Sequence, residues 1–125
     1  MGYESKIYVV QPYSDEFGDV IAMFDLCKMG YAAYSGTTFP GLFTIEKEDK
    51  YVFYEPDGNT HVKEDRYGDI VKRAESNQKV IKWLKAFCKG EGGDKSAWYR
   101  AVVFRDFLIS LEKTGQEYEL YHYGY

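Results

Sequence analysis

The chain is short of reaction chemistry. It carries two histidines, two cysteines and three prolines among 125 residues. The soft or borderline metal ligands Cys27, His61, Cys88 and His122 each stand alone. Zinc sites declare themselves by paired short spacings, which set two ligands side by side. No metal site is expected. Neither a G-x-S-x-G nucleophile turn nor a P-loop glycine pattern occurs, so no catalytic residue and no cofactor is expected either. Long apolar runs are also missing, which argues against a membrane span. The opening MGYESKIYVV has no signal-peptide core. Its Lys6 stands where a myristoylation signal needs Ser or Thr. The two cysteines sit in apolar settings, DLCKM and AFCKG. They read as reduced core thiols of a cytoplasmic chain without a disulfide.

Excess positive charge is absent as well. Sixteen Lys and Arg face twenty Asp and Glu, for a net charge of −4. Nucleic-acid binding rests on cations that neutralise phosphates, so that partner class is disfavoured. Lys79, Lys82, Lys85 and Lys89 form a basic ridge without interleaved aromatics. It reads as a solvated helix face.

What the chain has in abundance is tyrosine: thirteen residues, with Tyr118, Tyr121, Tyr123 and Tyr125 crowded into the ending EYELYHYGY. Tyrosine offers contact area at low entropic cost and keeps a polar tip. Hydrophobic content of 45% and charged content of 29% are those of an ordinary globular chain. The length suits a single domain spanning residues 1–125.

Lys6 to Gln11 (KIYVVQ) is β-branched and aromatic, and reads as a strand closed by Pro12. Asp19 to Met29 fits both the strand and the helix period. A strand is favoured, as hairpin partner of the first. Gly30 to Gly41 is glycine-punctuated, and Leu42 to Ile45 starts a short strand. Tyr51 to Glu55, the turn Pro56-Asp57-Gly58-Asn59, and Thr60 to Glu64 form a β-hairpin pattern.

The second half changes period. Ser76 or Asn77 caps a helix running to about Lys89, with Val80, Ile81, Trp83, Leu84, Phe87 and Cys88 as its apolar stripe. Gly90 stops it. Asp94 or Ser96 caps a second helix to about Lys113, striped by Ala97, Ala101, Phe104, Leu108 and Leu111 and closed by Gly115. The short link between them makes a helix hairpin. Gln116 to Tyr123 alternates as a last strand, with Tyr118, Leu120 and His122 on one face and Glu117, Glu119, Tyr121 and Tyr123 on the other. The class is α+β: an antiparallel sheet of about four to five strands with a two-helix hairpin packed on one face. The last strand is expected to return beside an early one.

Three functional readings follow. The first is a protein partner bound by Tyr118, Tyr121, Tyr123 and Tyr125, because exposed tyrosine clusters mark interaction surfaces. Homo-oligomer formation by edge pairing of the same strand is its variant. The second is a small ligand or nucleotide held by Tyr34, Ser35, Gly36 and Thr37, whose loop offers backbone N–H groups to a phosphate. The third is a divalent-metal nuclease using Glu48, Asp57 and Asp65. Its E-x-K element (Glu48-Asp49-Lys50) precedes its P-D element (Pro56-Asp57), the reverse of the nuclease order.

MGYESKIYVV, IAMFDLCKM, YVFYEPDGNTHVKEDRYGD and YHYGY together resemble small uncharacterised phage and prophage proteins of Gram-positive bacteria. The resemblance covers most of the chain and transfers no catalytic residue. It implies a setting, the cytoplasm of a bacterial host, and a role as a host-takeover or anti-defence factor that binds a host protein. Origin does not fix function.

Overall fold

The computed structural model describes residues 5–14, 17–26, 39–47, 51–54, 71–90 and 95–124. The chain order is β1 (Ser5–Pro12), β2 (Phe17–Asp25), a 3-10 turn (Phe39–Leu42), β3 (Phe43–Glu46), β4 (Val52–Tyr54), β5 (Lys72–Ala74), α1 (Asn77–Lys89), α2 (Lys95–Thr114) and β6 (Glu119–Gly124). The strands form one sheet in the order β3-β5-β6-β1-β2-β4. From β3 through β2 every pairing is antiparallel. β4 joins parallel to β2 at Phe17–Asp19.

This is the expected α+β architecture, one strand wider. The ambiguous segment after Gly18 is a strand as far as Asp25, because Ala22 and Phe24 pack into the helix-side core while Val20 faces the other side; 27–29 lie outside the described residues. The last strand does return to an early one, pairing Leu120 with Val9 and His122 with Ile7. Lys72–Ala74 adds a strand between β3 and β6 that neither period signals. One expectation is corrected. Ser96 lies inside α2 and does not cap it. The Asp94 cap and the second arm of the 51–64 hairpin lie outside the described residues. The first arm, β4, has β2 as its partner.

Period two decides which side each strand residue faces. Ile7, Val9 and Leu120 enter a core with Val80, Ile81, Leu84, Ala101, Phe104 and Leu108 from the helices. Burying each such aliphatic side chain stabilises the fold by about 1.5–3 kcal/mol. Phe24 meets Phe104 and Phe107 at centroid distances of 4.8 and 5.4 Å, tying β2 to α2. Trp98 Nε1 donates to the Cys88 carbonyl at 3.1 Å, and Asn77 Nδ2 to the Tyr118 carbonyl at 2.9 Å. Those bonds lock the helices to each other and to the entry of β6.

The cap of α1 is Ser76, whose Oγ accepts from the Lys79 N–H at 3.3 Å. Gly90 ends the helix in extended backbone, its N–H on the Phe87 carbonyl. α2 ends at Gly115, where φ is +70°, the left-handed conformation that suits glycine.

The opposite side of the sheet carries a second core of Tyr8, Val10, Val20, Tyr51, Val71 and Tyr121, with no helical member among the described residues. Alternate residues of β1 and β6 thus serve two cores, and β6, flanked by β1 and β5, is an interior strand.

Candidate functional site

Two surfaces formed by the described residues offer chemistry, and they share no lining residue. The first is a polar cleft of about 470 Å³ on the side of the sheet opposite α1 and α2. Its walls come from the end of β1 (Pro12, Ser14), from β3 and its exit (Ile45, Glu46, Lys47), from Tyr51, from Arg73 of β5, and from Glu117, Glu119 and Tyr121. The organising group is Glu119. Tyr51 and Tyr121 both donate their hydroxyls to its Oε1, at 3.2 and 3.3 Å. Arg73 Nε lies 3.9 Å from its Oε2. Lys47 Nζ is buried and donates to the Tyr51 carbonyl at 2.5 Å.

Burial and then the Glu119 charge push both phenols well above the ordinary tyrosine value, so they stay protonated and serve as donors. Neither is poised as a base or nucleophile near neutral pH. Glycine at position 18 permits the packing. A Cβ there would lie 2.5 Å from the Tyr51 hydroxyl and 2.5 Å from Val10 Cγ1.

The second surface is an apolar groove of about 260 Å³ where β2 meets α2. It is lined by Met23, Phe24, Asp25, Tyr99, Arg100 and Val103. Met23, Tyr99 and Val103 are 49%, 61% and 59% exposed. Arg100 Nη1 donates to the Asp25 carbonyl at 3.0 Å and lies 3.6 Å from its carboxylate, fixing one end of the groove. A bulge accompanies it: Val9 pairs with Ala22 but Val10 pairs with Val20, leaving exposed Ile21 as the extra residue. The pairing of β2 with β4 ends at Asp19 opposite Tyr54, and no strand runs beside 20–24 on that side among the described residues.

Two of the four tyrosines expected to form a surface near the carboxy end are buried instead. Tyr118 and Tyr121 are only 5% and 3% exposed. The cause is topological: an interior strand has neighbours on both edges, and here both faces are covered too. Tyr118 belongs to the helix-side core and Tyr121 to the opposite one. Burial, then the nearby Glu112 charge, raises the Tyr118 phenol above its ordinary value. Its hydroxyl makes no bond of ordinary geometry among the described residues. Tyr123 pairs with Lys6 along the backbone. The Tyr123 side chain and Tyr125 lie outside the described residues, as do Tyr34, Ser35, Gly36 and Thr37 and the acids Glu48, Asp57 and Asp65.

Of the lone ligands, Cys88 is a buried thiol of α1 whose pKa desolvation raises, which makes it unreactive. His122 is buried with its ring 5.3 Å from that of Phe43. Among the described residues no group of three His, Cys, Asp or Glu is placed to hold a metal. No described helix is long and apolar enough to cross a membrane. The ridge lysines Lys79, Lys82, Lys85 and Lys89 are all exposed.

Sequence reading missed the groove, yet a signal was there. Tyr99 and Val103 stand four apart on α2, outside the stripe of Ala97, Ala101, Phe104 and Leu108. Apolar residues out of phase with the buried face have no place in the core they flank. The chain matches no family model, no curated protein and no solved structure.

Proposed function

We propose that the protein acts without catalysis, by binding a protein partner in the groove between β2 and α2. The observation that carries this reading is the contiguous exposure of Met23, Tyr99 and Val103. Met, Tyr and Arg are the residue types enriched at protein interfaces, and all three line this groove. A partner side chain entering it loses apolar surface to Met23 and Val103. The adjoining edge of β2 beyond Asp19, which no strand covers among the described residues, would offer backbone groups to an extended segment of the same partner.

The resemblance to phage and prophage proteins supplies the setting: a host-takeover or anti-defence factor at work in the bacterial cytoplasm, with a host protein as its target.

Site-specific photocrosslinking tests the reading. A benzophenone amino acid replaces Tyr99 in one variant and Lys82, on the solvated ridge, in another. The expected result is one dominant crosslinked host protein from position 99 and none from position 82. Identical products from both positions, or none from position 99, would overturn it.

A further inference from the structure

We propose that the polar cleft around Glu119 is a binding site for an organic cation, a primary amine or guanidinium group. This assignment is independent of the partner groove. The cleft is a concavity of about 470 Å³, within the range of small-ligand sites. Its floor is built: both phenols and Arg73 converge on one carboxylate, which fixes the rotamers of four side chains across β5, β6 and Tyr51.

The charge distribution then selects the ligand. Among the described residues, three carboxylates, Glu46, Glu117 and Glu119, share the lining with two cations, Lys47 and Arg73. Lys47 donates to the Tyr51 carbonyl, and Arg73 Nε faces the Glu119 carboxylate at 3.9 Å as an ion pair. Glu46 and Glu117 form no ion pair among the described residues and are exposed on the rim. Glu117 is close enough to the floor that its charge helps to raise the Tyr51 phenol.

The cleft therefore has carboxylates without an ion pair among the described residues at its mouth, while each cation at its base already faces an oxygen of the floor. A guanidinium or ammonium brings several N–H donors with its charge, and the rim carboxylates are its charge-assisted partners. An anion entering the same space would meet three carboxylates. The cation has two sources, a free polyamine-like molecule or an arginine or lysine side chain of a peptide, and both present the same group.

Calorimetric titration and thermal unfolding decide it. The probes are agmatine, spermidine and a short arginine-containing peptide, with sodium phosphate, acetate and CaCl₂ at matched ionic strength as controls. The expected result is that an amine or guanidinium probe raises the melting temperature at saturation. Glu46→Gln with Glu117→Gln should weaken that binding about tenfold or more, roughly the effect of losing one charge-assisted bond. Both positions are exposed, so the double variant keeps its fold, and circular dichroism checks this. Agmatine active alone points to a free ligand, the peptide active alone to a side chain, and either supports the site. No heat and no shift with any cationic probe overturns the assignment. So does an equal shift in the double variant, or a response to calcium or phosphate in place of the amines.

Discussion

The Tyr51 hydroxyl donates to Glu119 Oε1 at 3.2 Å, joining residues 68 positions apart. The bond lies on the side of the sheet opposite α1 and α2, where Tyr51 and Tyr121 have ring centroids 6.2 Å apart. Tyr51→Phe keeps the ring and removes the donor. Glu119 retains Tyr121 and Arg73, so the expected loss is about 1–2 kcal/mol. Urea unfolding checks it through a lower midpoint at unchanged slope.

Gly18→Ala should cost about 1–3 kcal/mol, because its methyl group overlaps the Tyr51 hydroxyl and the Val10 side chain at once. Combined with Tyr51→Phe, one of the two overlaps disappears. The pair should then lose less stability than the two single changes added together, and a double-mutant cycle reads the difference.

Alkaline pH should unfold the protein through its tyrosines. Tyr51, Tyr118 and Tyr121 are all raised, chiefly by desolvation. In the unfolded chain they ionise near the ordinary value of about 10. Above that pH the native state holds protons that the unfolded state has released, so stability falls as pH rises. Below it both states are protonated, and these groups add no pH dependence. Melting temperature should be insensitive to these groups up to about pH 9 and drop beyond about pH 10. Absorbance at 295 nm should show a late group of phenols that ionise only as the fold is lost.

Ser76→Ala removes the acceptor for the Lys79 N–H at the start of α1. The expected loss is about 1 kcal/mol. Ser76→Asp should retain most of the stability, since its carboxylate accepts the same bond and favours the helix N-terminus. Thermal unfolding of the two variants side by side checks the order.

The helices were legible because their contacts are local. A stripe at i, i+3 and i+4 named Val80, Ile81, Leu84 and Cys88, and those are the buried residues of α1. The alternation of β6 was legible for the same reason: Leu120 and Tyr121 do face opposite cores. What alternation does not report is a strand's neighbours. β6 pairs with β1 on one edge, Lys6 opposite Tyr123, and with β5 on the other, which makes it interior. That converts Tyr121 from an expected contact residue into core. β5 escaped notice because three residues, two of them basic, show neither period; its strand character comes from β3 and β6 on either side. The cleft is likewise assembled from segments distant in sequence. Only the shared face of Glu117, Glu119 and Tyr121 was visible beforehand.

The measurement that bears most directly on the binding surface compares two variants in one capture experiment, scored for stability and for the partner crosslinked from the groove. Val103→Asp places a charge on an exposed position of α2, and Tyr121→Ser empties a buried one. The account predicts that Val103→Asp keeps its melting temperature and loses the partner, while Tyr121→Ser melts lower by several degrees yet still binds when folded. Binding that survives Val103→Asp but vanishes in folded Tyr121→Ser would contradict it.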